Sequence, residues 1–332
     1  MSHIKFDVAH FYVGGKIIDY IKAHLKLNNM LKKLFLLFAI YLLSSFSLIS
    51  DAVLTYIKYG EHEAIAVLPD GKKFIAGTTG YLDLWDVETG EKLLTYTELG
   101  SHRAIAVLPD GKRFIAGSTG YLDLWDVETG EKLRTYTEFG SHEAIAVLPD
   151  GKRFVAGSAG RLDLWDIETG ERLRTYTKSG EHLAIAVLPD GKRFIAGSTG
   201  YMDLWDVETG EKLRTYTKSG SHEAIAVLLD GKRFIAGSTG YLDLWDVETG
   251  EKLHTYTKWG SHEAIAILPD GKSFIAGSTG YLDLWDVETG EKLYTYTQFG
   301  NHQAIAILPD GKQFVVATDR RLEKWNVEKD NQ

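Results

Sequence analysis

Short apolar runs separated by turn residues follow one another along most of the chain. In residues 101–140 these runs are AIAVL, RFIAG, YLDLW and LRTYT. They are rich in the β-branched and aromatic residues that suit strands, and the Asp-Gly and Thr-Gly pairs between them supply the positive-φ residue of tight hairpin turns. No helical period is present in this segment, so the pattern predicts four consecutive antiparallel strands.

The whole forty-residue pattern is repeated. A fixed period of this length indicates a repeat architecture. A single four-stranded sheet cannot bury both of its faces, whereas sheets arranged around an axis bury them against their neighbours, so we expect an all-β propeller. The segment YLDLWDVETG or a variant of it begins at Tyr81, Tyr121, Arg161, Tyr201, Tyr241, Tyr281 and Arg321.

The two ends of the repeat region predict the number of blades and the closure of the ring. Residues 61–300 hold six complete repeats, whereas residues 301–332 supply only three strands. The segment VLTYIKYG at Val53–Gly60 aligns with the fourth strand of the other repeats. We therefore predict that residues 53–332 form a seven-bladed β-propeller of four-stranded antiparallel blades. An N-terminal strand would complete the last blade and leave no open sheet edge.

Residues 1–52 have a different composition. The apolar run LFLLFAIYLLSSFSLI at 34–49 follows MLKK at Met30–Lys33 and precedes SDA at Ser50–Ala52. This order is typical of a secretory signal peptide, with Met30 as a possible start. The alternatives are an uncleaved hydrophobic helix that anchors the chain, although the run is shorter than the ~20 residues of a membrane span, and a buried N-terminal helix of a cytoplasmic protein.

The lysines ahead of this run predict on which side of the membrane the repeats lie. Positive residues stay on the cytoplasmic side, so the propeller is expected to be periplasmic or secreted, or anchored to the membrane by its N-terminal segment alone. The formal net charge is -9, and residues 1–52 contribute six Lys and three Asp, or +3, which leaves -12 for the rest. An acidic body argues against nucleic-acid binding. The lack of cysteine excludes disulfides, thiolate metal sites and a cysteine nucleophile.

The repeats resemble the WD-repeat family in its bacterial form. The resemblance rests on LPDGKRFIAGS at 108–118, LDLWDVETGEKLRTY at 122–136 and a histidine at the start of each repeat, and it covers residues 53–332. It implies a hydrogen-bonded set of His, Ser or Thr, Asp and Trp in each blade. Six repeats lack the Asp, for which only Asp319 is available, so the blades are expected to depend more on packing. In the second repeat the matching structural residues are His102, Ser118 and Trp125.

The repeated polar residues predict structure rather than chemistry. The seven equivalent histidines could form a metal ring at the channel mouth, but we favour a structural role within each blade. The mid-strand aspartates, such as Asp123, are expected to pair with a base on an adjacent strand, for example Arg134 or Arg113. No asymmetric cluster of acids, bases or ligands is apparent. We therefore predict a non-enzymatic protein with no catalytic residue, no metal site and no cofactor.

Differences between the repeats gather in the loop that leads into each blade and in the second hairpin. In a four-stranded blade these segments lie at the same end of the ring. Aromatic residues and arginine are common at interface hot spots, so we interpret this end as the binding surface of a monomeric propeller for a protein or peptide partner. Alternatives are loop drift without function, an extracytoplasmic lactonase-like hydrolase, and a glycan binder that uses the tyrosines. The candidate residues are Tyr59, Leu99, Arg103, Tyr121, Phe139, Arg161, Tyr241, Trp259, Tyr281 and Phe299.

Overall fold

The part of the chain that the structure describes is built entirely from strands. The computed structural model describes residues 57–59, 61–137, 139–217 and 219–327, with only the backbone for 57–59. It contains 28 strands in seven four-stranded antiparallel sheets, which confirms the predicted all-β, seven-bladed propeller. The predicted signal segment and the helix within it lie outside the described residues.

Six blades follow the chain in order. The first contains β2 (His62–Val67), β3 (Lys73–Thr78), β4 (Leu82–Asp86) and β5 (Lys92–Thr97). The second contains β6 (His102–Val107), β7 (Arg113–Ser118), β8 (Leu122–Asp126) and β9 (Lys132–Thr137). The third contains β10 (His142–Val147), β11 (Arg153–Ser158), β12 (Arg161–Asp166) and β13 (Arg172–Thr177). The fourth contains β14 (His182–Val187), β15 (Arg193–Ser198), β16 (Met202–Asp206) and β17 (Lys212–Thr217).

The remaining blades include the one that joins the two ends of the described chain. The fifth contains β18 (His222–Val227), β19 (Arg233–Ser238), β20 (Tyr241–Asp246) and β21 (Lys252–Thr257). The sixth contains β22 (His262–Ile267), β23 (Ser273–Ser278), β24 (Leu282–Asp286) and β25 (Lys292–Thr297). The seventh contains β26 (His302–Ile307), β27 (Gln313–Thr318), β28 (Arg321–Asn326) and β1 (Ile57–Tyr59).

The first strand of each repeat is the innermost strand of its blade. Inner strands of neighbouring blades contact one another around the ring, and β26 of the seventh blade also contacts β2 of the first. Within the seventh blade, the strand order is β1-β28-β27-β26, with Ile57 opposite Glu323 and Tyr59 opposite Arg321. Because most of Val53–Gly60 lies outside the described residues, closure by that whole segment stays a prediction.

Asp residues form the hairpin turns that barely differ between repeats. Asp110 accepts the backbone N–H of Lys112 at 2.8 Å, and Gly111 follows with a φ of 67°. Asp126 accepts the backbone N–H of Thr129 at 2.8 Å and its hydroxyl at 2.9 Å. These bonds favour the ionised form and lower the pKa of Asp126. The conformation of the PDGK and WDVETG turns therefore depends on the aspartate side chains within them. This dependence explains why the repeats differ in other segments rather than in these turns.

Each hydrophobic core lies between two blades. Leu84 and Tyr96 of the first blade pack with Phe114 and Trp125 of the second, and the Tyr96 ring lies 4.7 Å from that of Phe114. The Tyr96 hydroxyl donates to the Val127 carbonyl at 2.8 Å, and burial raises the pKa of this tyrosine. Equivalent clusters occupy the other six interfaces. One blade alone would thus expose half of two cores, which is why the repeats need each other.

Ion pairs connect successive blades at the end of the ring that carries the PDGK and WDVETG turns, which we call the lower rim. Arg113 of the second blade binds its own turn through Asp110 at 3.0 Å and reaches Glu168 of the third blade at 2.7 Å. The residues equivalent to Arg113 are Ser273 in the sixth blade and Gln313 in the seventh. Between the seventh and first blades, Lys324 reaches Glu88 at 3.2 Å instead. The pairs equivalent to Arg113–Glu168 are Lys73–Glu128, Arg153–Glu208, Arg193–Glu248 and Arg233–Glu288.

The mid-strand aspartates have basic partners, although not the two named from the sequence. Asp123 pairs with Lys132 of the adjacent strand at 2.9 Å and accepts the Thr135 hydroxyl at 2.6 Å. The prediction of Arg134 or Arg113 was wrong. A bulge in the pairing of β8 with β9 places Arg134 opposite Leu124, and its guanidinium donates to the Glu168 carbonyl of the next blade. Arg113 lies opposite Asp126, at the other end of the strand.

Candidate functional site

The two segments that vary most between repeats come together at one end of the ring, which we call the upper face. It consists of the loops that lead into the blades and the turns between the second and third strands. Thr119 of such a turn pairs with Ser141 of the neighbouring loop, and the Gly120 N–H donates to the Gly140 carbonyl at 2.6 Å. Both glycines have φ near +101°, a conformation that side chains rarely adopt. The sequence-predicted surface is therefore one contiguous backbone network.

Four large apolar side chains project from the loops of this face, and we call them the tip residues. Leu99, Phe139, Trp259 and Phe299 are 80%, 84%, 85% and 79% exposed, respectively. Small serines, Ser179 and Ser219, occupy the same position in two other loops. The side chain of Tyr59, the remaining predicted tip, is outside what the structure describes. Single exposed apolar side chains are normal on a protein surface, but four large ones at the same end of the ring make this end a candidate interaction surface.

The second-hairpin residues are less exposed than the tip residues. Tyr121 is about half exposed, and its ring lies 5.5 Å from Nζ of Lys132, which also pairs with Asp123. Tyr241 and Tyr281 have lysine neighbours at 5.5 and 5.7 Å. A lysine over an aromatic ring is a stabilising contact within the protein. Part of each tyrosine is thus engaged by its own blade.

Arg161 occupies the position of the tyrosine in the third blade, and it is also bound by residues of its own blade. Its guanidinium pairs with Asp163 at 3.1 Å and donates to the Thr175 hydroxyl at 3.1 Å. In five other blades Asp and Thr share this site with a lysine, as Asp203 and Thr215 do with Lys212 at 3.1 Å. The arginine therefore supplies the positive charge for its aspartate from the upper side.

The residue after each histidine lines the mouth of the central channel, and these seven residues form what we call the mouth ring. They border a space of about 430 Å³. Four carboxylates and one guanidinium give the ring a formal charge of -3. The alanine and isoleucine that follow each of them border a second space of about 250 Å³ below. The members are Glu63, Arg103, Glu143, Leu183, Glu223, Glu263 and Gln303.

Arg103 neutralises one side of the mouth ring. Its Nε lies 3.3 Å from Glu63 and its Nη1 lies 3.0 Å from Glu143, so a single guanidinium bridges the blades on both sides. Ser101 donates to Glu63 at 2.8 Å, and Ser141 donates to Glu143 at 2.5 Å. Arg103, which the sequence placed among the binding residues, is therefore already satisfied by intramolecular partners.

On the opposite side of the mouth ring, the hydrogen-bond acceptors pair with no lysine or arginine of the described residues. Glu223 accepts the hydroxyls of Ser221 at 3.1 Å and Ser261 at 3.2 Å, but no lysine or arginine of the described residues pairs with it. Burial, together with the charges of Glu223 and Asp319, raises the pKa of Glu263. The side-chain oxygen of Gln303 is buried and accepts no hydrogen bond from the described residues.

The sequence analysis grouped the mouth-ring residues with the loops and did not predict that they surround the channel mouth. Glu223, Glu263 and Gln303 stand one position after the histidine that begins the inner strand. The alternation of side chains along that strand could have separated them from the histidine, because successive residues point to opposite faces. Their meeting around the axis, however, depends on the closed arrangement of seven inner strands.

The repeated histidine, serine and tryptophan are buried and support the loops that carry the tip residues. His102 Nε2 lies 3.0 Å from the Leu99 carbonyl, and burial lowers the pKa of this histidine. Ser118 donates to the Tyr121 carbonyl at 3.3 Å. The Trp125 indole N–H has no partner among the described residues, so the implied His–Ser–Trp network is not joined by direct hydrogen bonds there.

The same histidine support recurs beneath other tips. His262 Nε2 lies 3.1 Å from the Trp259 carbonyl, and His222 Nε2 lies 3.1 Å from the Ser219 carbonyl. In the seventh blade, Asp319 approaches Arg320 at 3.8 Å and has a buried oxygen without a partner among the described residues. His302 instead lies 2.9 Å from the Ser278 carbonyl through Nδ1. Asp319 thus shows no bond to the histidine of its blade.

Two kinds of structural feature are absent from the described ranges. Within them, no three His, Asp or Glu side chains are grouped so that they could hold a metal ion. None of the secondary structure described for this chain is a helix with the length and apolarity that crossing a membrane requires. In comparisons with known proteins, no protein-family profile matched the chain, and no curated protein matched it.

Proposed function

We propose that this propeller is a non-catalytic scaffold that binds a protein or peptide partner on its upper face. The observation that carries the proposal is the set of four tip residues, each about four-fifths exposed, on a single face. Exposed aromatic side chains on a preformed surface are the type of residue that dominates interface energetics. The histidines fix the loop carbonyls beneath Leu99 and Trp259, so the tips are presented with little ordering to be done upon binding.

We further propose that the chain is a WD-repeat propeller of the bacterial type. The support is the seven-fold recurrence of the Trp in the third strand, the DGK of the first hairpin turn and the buried histidine. In this proposal the protein is exported, either cleaved near Ala52 or held by its N-terminal segment, and works as a monomer. Val53–Gly60 completes the seventh blade, consistent with the pairing of Ile57–Tyr59 with β28.

Catalysis has no place in this proposal, and no catalytic residue, metal or cofactor is assigned. Acid–base chemistry needs titratable groups whose surroundings differ, so that their pKa values separate. Five mid-strand aspartates repeat the same arrangement of a lysine and a threonine, and the sixth substitutes an arginine. Such repetition is expected of structural residues.

A pull-down comparison tests the proposal. The protein would be immobilised beside a variant with F139A, W259A and F299A, and both would be exposed to an extract of the source cells. A matched control carries L133A, L173A and L213A, which removes three exposed leucines of 44–46% exposure from the outer strands. We expect a partner that the protein and the control retain and the tip variant loses. A partner retained by all three would place the site elsewhere, and no retained partner would oppose the scaffold function.

A further inference from the structure

In four blades, the histidine that begins the inner strand is bound to the loop that leads into its own blade. Nε2 of His262 lies 3.1 Å from the Trp259 carbonyl. Because a carbonyl oxygen only accepts hydrogen bonds, Nε2 carries the hydrogen in the neutral ring and donates it to the loop. The other three contacts join His102 to Leu99 at 3.0 Å, His182 to Ser179 at 3.3 Å and His222 to Ser219 at 3.1 Å.

The second ring nitrogen of these four histidines lies where a proton is unfavourable. Nδ1 of His262 is buried and has no hydrogen-bond partner among the described residues, and the same holds for His102, His182 and His222. Since Nε2 already carries a hydrogen, Nδ1 is the atom that takes up a proton in acid. While the loop is in place, the charged ring would be enclosed without an acceptor for its new N–H.

The charged groups that face these rings oppose the effect of burial only in part. Burial has the largest influence and lowers the pKa of His262, whereas the bond to the loop and the carboxylates of Asp283 and Asp243 favour the protonated ring. Asp283 is itself paired with Lys292 at 3.0 Å. Burial also lowers the pKa of the other three histidines, whose charged neighbours are Asp123, Glu63 and Lys132 for His102, Asp203 for His182, and Asp243, Glu223 and Lys252 for His222.

The loop that carries Trp259 can open without unfolding of the strands beneath it. The Trp259 side chain is 85% exposed, so it contributes little packing, and a bond from the Gly240 N–H to the Gly260 carbonyl at 2.6 Å ties the loop to the neighbouring turn. Segments with few buried contacts open locally at a lower free energy than core strands. Opening exposes the His262 ring to water, where Nδ1 takes up a proton at the ordinary pKa of histidine. Acid therefore favours the open loop.

We propose that these four contacts form an acid-sensitive clamp, which holds the upper loops in place while the histidines are neutral and releases them when the histidines take up a proton. The inference rests on the proposed scaffold function, whose regulation it specifies, because two of the clamped loops carry the tips Leu99 and Trp259. A released tip must be ordered again upon binding, which costs affinity. Partner binding on the upper face should thus weaken as the pH falls from about 7 to about 5.5.

Hydrogen exchange resolved to single amides, measured on the full protein, tests the clamp without a partner. The Gly240 N–H reports on the loop of Trp259, because it donates to the Gly260 carbonyl of that loop. The Gly200 N–H reports on the loop of Ser219 in the same way. Protection factors, which are corrected for the intrinsic pH dependence of exchange, are compared at about pH 7 and about pH 5.5.

The test variants are H262Q and H222Q, each of which is the matched control for the other. Glutamine keeps an N–H donor but takes up no proton in this range. In the unaltered protein, we expect the protection of Gly240 and Gly200 to fall roughly tenfold at about pH 5.5, about one unit below the ordinary pKa of histidine. H262Q should abolish the fall at Gly240 and leave it at Gly200, and H222Q should do the reverse.

Protection that does not change with pH in the unaltered protein, or that falls equally at both amides in both variants, overturns the clamp. Because each variant retains one unaltered loop, normal protection there at neutral pH verifies that the variant is folded. A captured partner that is retained equally at both pH values overturns the role of the clamp in binding. If the clamp fails while the tip variant still loses a captured partner, the scaffold function stands without it. If the loops open as expected and no partner is ever captured, the scaffold function fails and the clamp remains.

Discussion

At the residue scale, the histidine at the start of each inner strand connects the interior to the upper face. Its ring is buried between blades, and in four blades one ring nitrogen contacts the backbone carbonyl at the tip position of the preceding loop, as His102 does for Leu99. The backbone must also come close, because a Cβ on Gly117 would lie 2.8 Å from the His142 Cβ. This packing explains why glycine and histidine recur together, and it makes the histidines sensitive to pH.

We predict that stability falls as the pH drops below about 6.5, the ordinary pKa of histidine. Burial lowers the pKa of His62 from 6.5 to about 4, so the unfolded chain takes up a proton before the folded protein does. The stabilisation is complete above pH 6.5 and is lost towards pH 4, by roughly 3 kcal/mol for His62. Glu263, whose pKa is raised, acts in the opposite direction but is one group against seven.

Melting temperatures measured by circular dichroism between neutral pH and about pH 5 check this prediction. H102Q provides the matched comparison, because glutamine cannot take up the proton. We expect its melting temperature to vary less with pH than that of the unaltered protein, even if H102Q is less stable at neutral pH. An identical pH profile for both proteins would show that His102 does not contribute to the acid sensitivity.

At the scale of elements, the lower ion pairs should make the blade interfaces unequal in stability. Arg153 binds its own turn through Asp150 at 2.9 Å and reaches Glu208 of the fourth blade at 2.7 Å. We predict that R153S, which introduces the residue found naturally at Ser273, lowers the free energy of unfolding by about 1 kcal/mol or less, because Glu208 is exposed. The loss should shrink at high salt. Urea unfolding measures it.

The control for this change is K152S. It removes a positive charge from the same turn, but the Lys152 side chain takes part in no ion pair that the structure describes, and only its backbone N–H contacts Asp150. If both variants lose equal stability, the effect belongs to net charge or turn propensity and the inter-blade pair contributes nothing.

The predicted closing strand also belongs to this scale. We predict that deletion of Val53–Gly60 leaves β28 with an open edge and produces a protein that aggregates, because unpaired strand edges bind other chains. Light scattering and thermal melting of the truncated protein check this. A truncated protein that stays monomeric with an unchanged melting temperature would show that the segment does not close the ring.

The strands and turns could be predicted from the sequence, but the contacts between side chains of different strands could not. The hairpins depend on local signals, such as Asp110 before a positive-φ glycine, and these act within a few residues. The partner of Asp123 depends on a bulge that shifts the register of β8 against β9, which no local pattern reveals. The channel mouth required still more, because Glu223 and Gln303 meet only when seven inner strands surround one axis.

At the scale of the whole molecule, near-identical blades make it possible for a blade to pack against the wrong neighbour. A blade could pair with an equivalent blade of another chain, since similar repeats present similar surfaces. The seventh blade differs from the others where it meets the first: Lys324 replaces the leucine of six blades, is 2% exposed, and reaches Glu88. Glu323 beside it is fully buried and accepts the Trp325 indole N–H at 2.8 Å. These residues distinguish one interface from the other six.

We predict that K324L leaves the melting temperature equal or higher, since a packed leucine avoids the cost of burying the lysine, whose partner Glu88 is exposed. At the same time it should raise the oligomeric fraction after refolding from denaturant at high protein concentration, because the seventh blade loses the feature that selects the first. Size-exclusion chromatography with light scattering measures this fraction. M202L is the control, because it also converts a buried residue to the repeat consensus but removes no ion pair. Equal oligomeric fractions in both variants would mean that Lys324 contributes stability alone, and that the order of the blades is specified elsewhere in the ring.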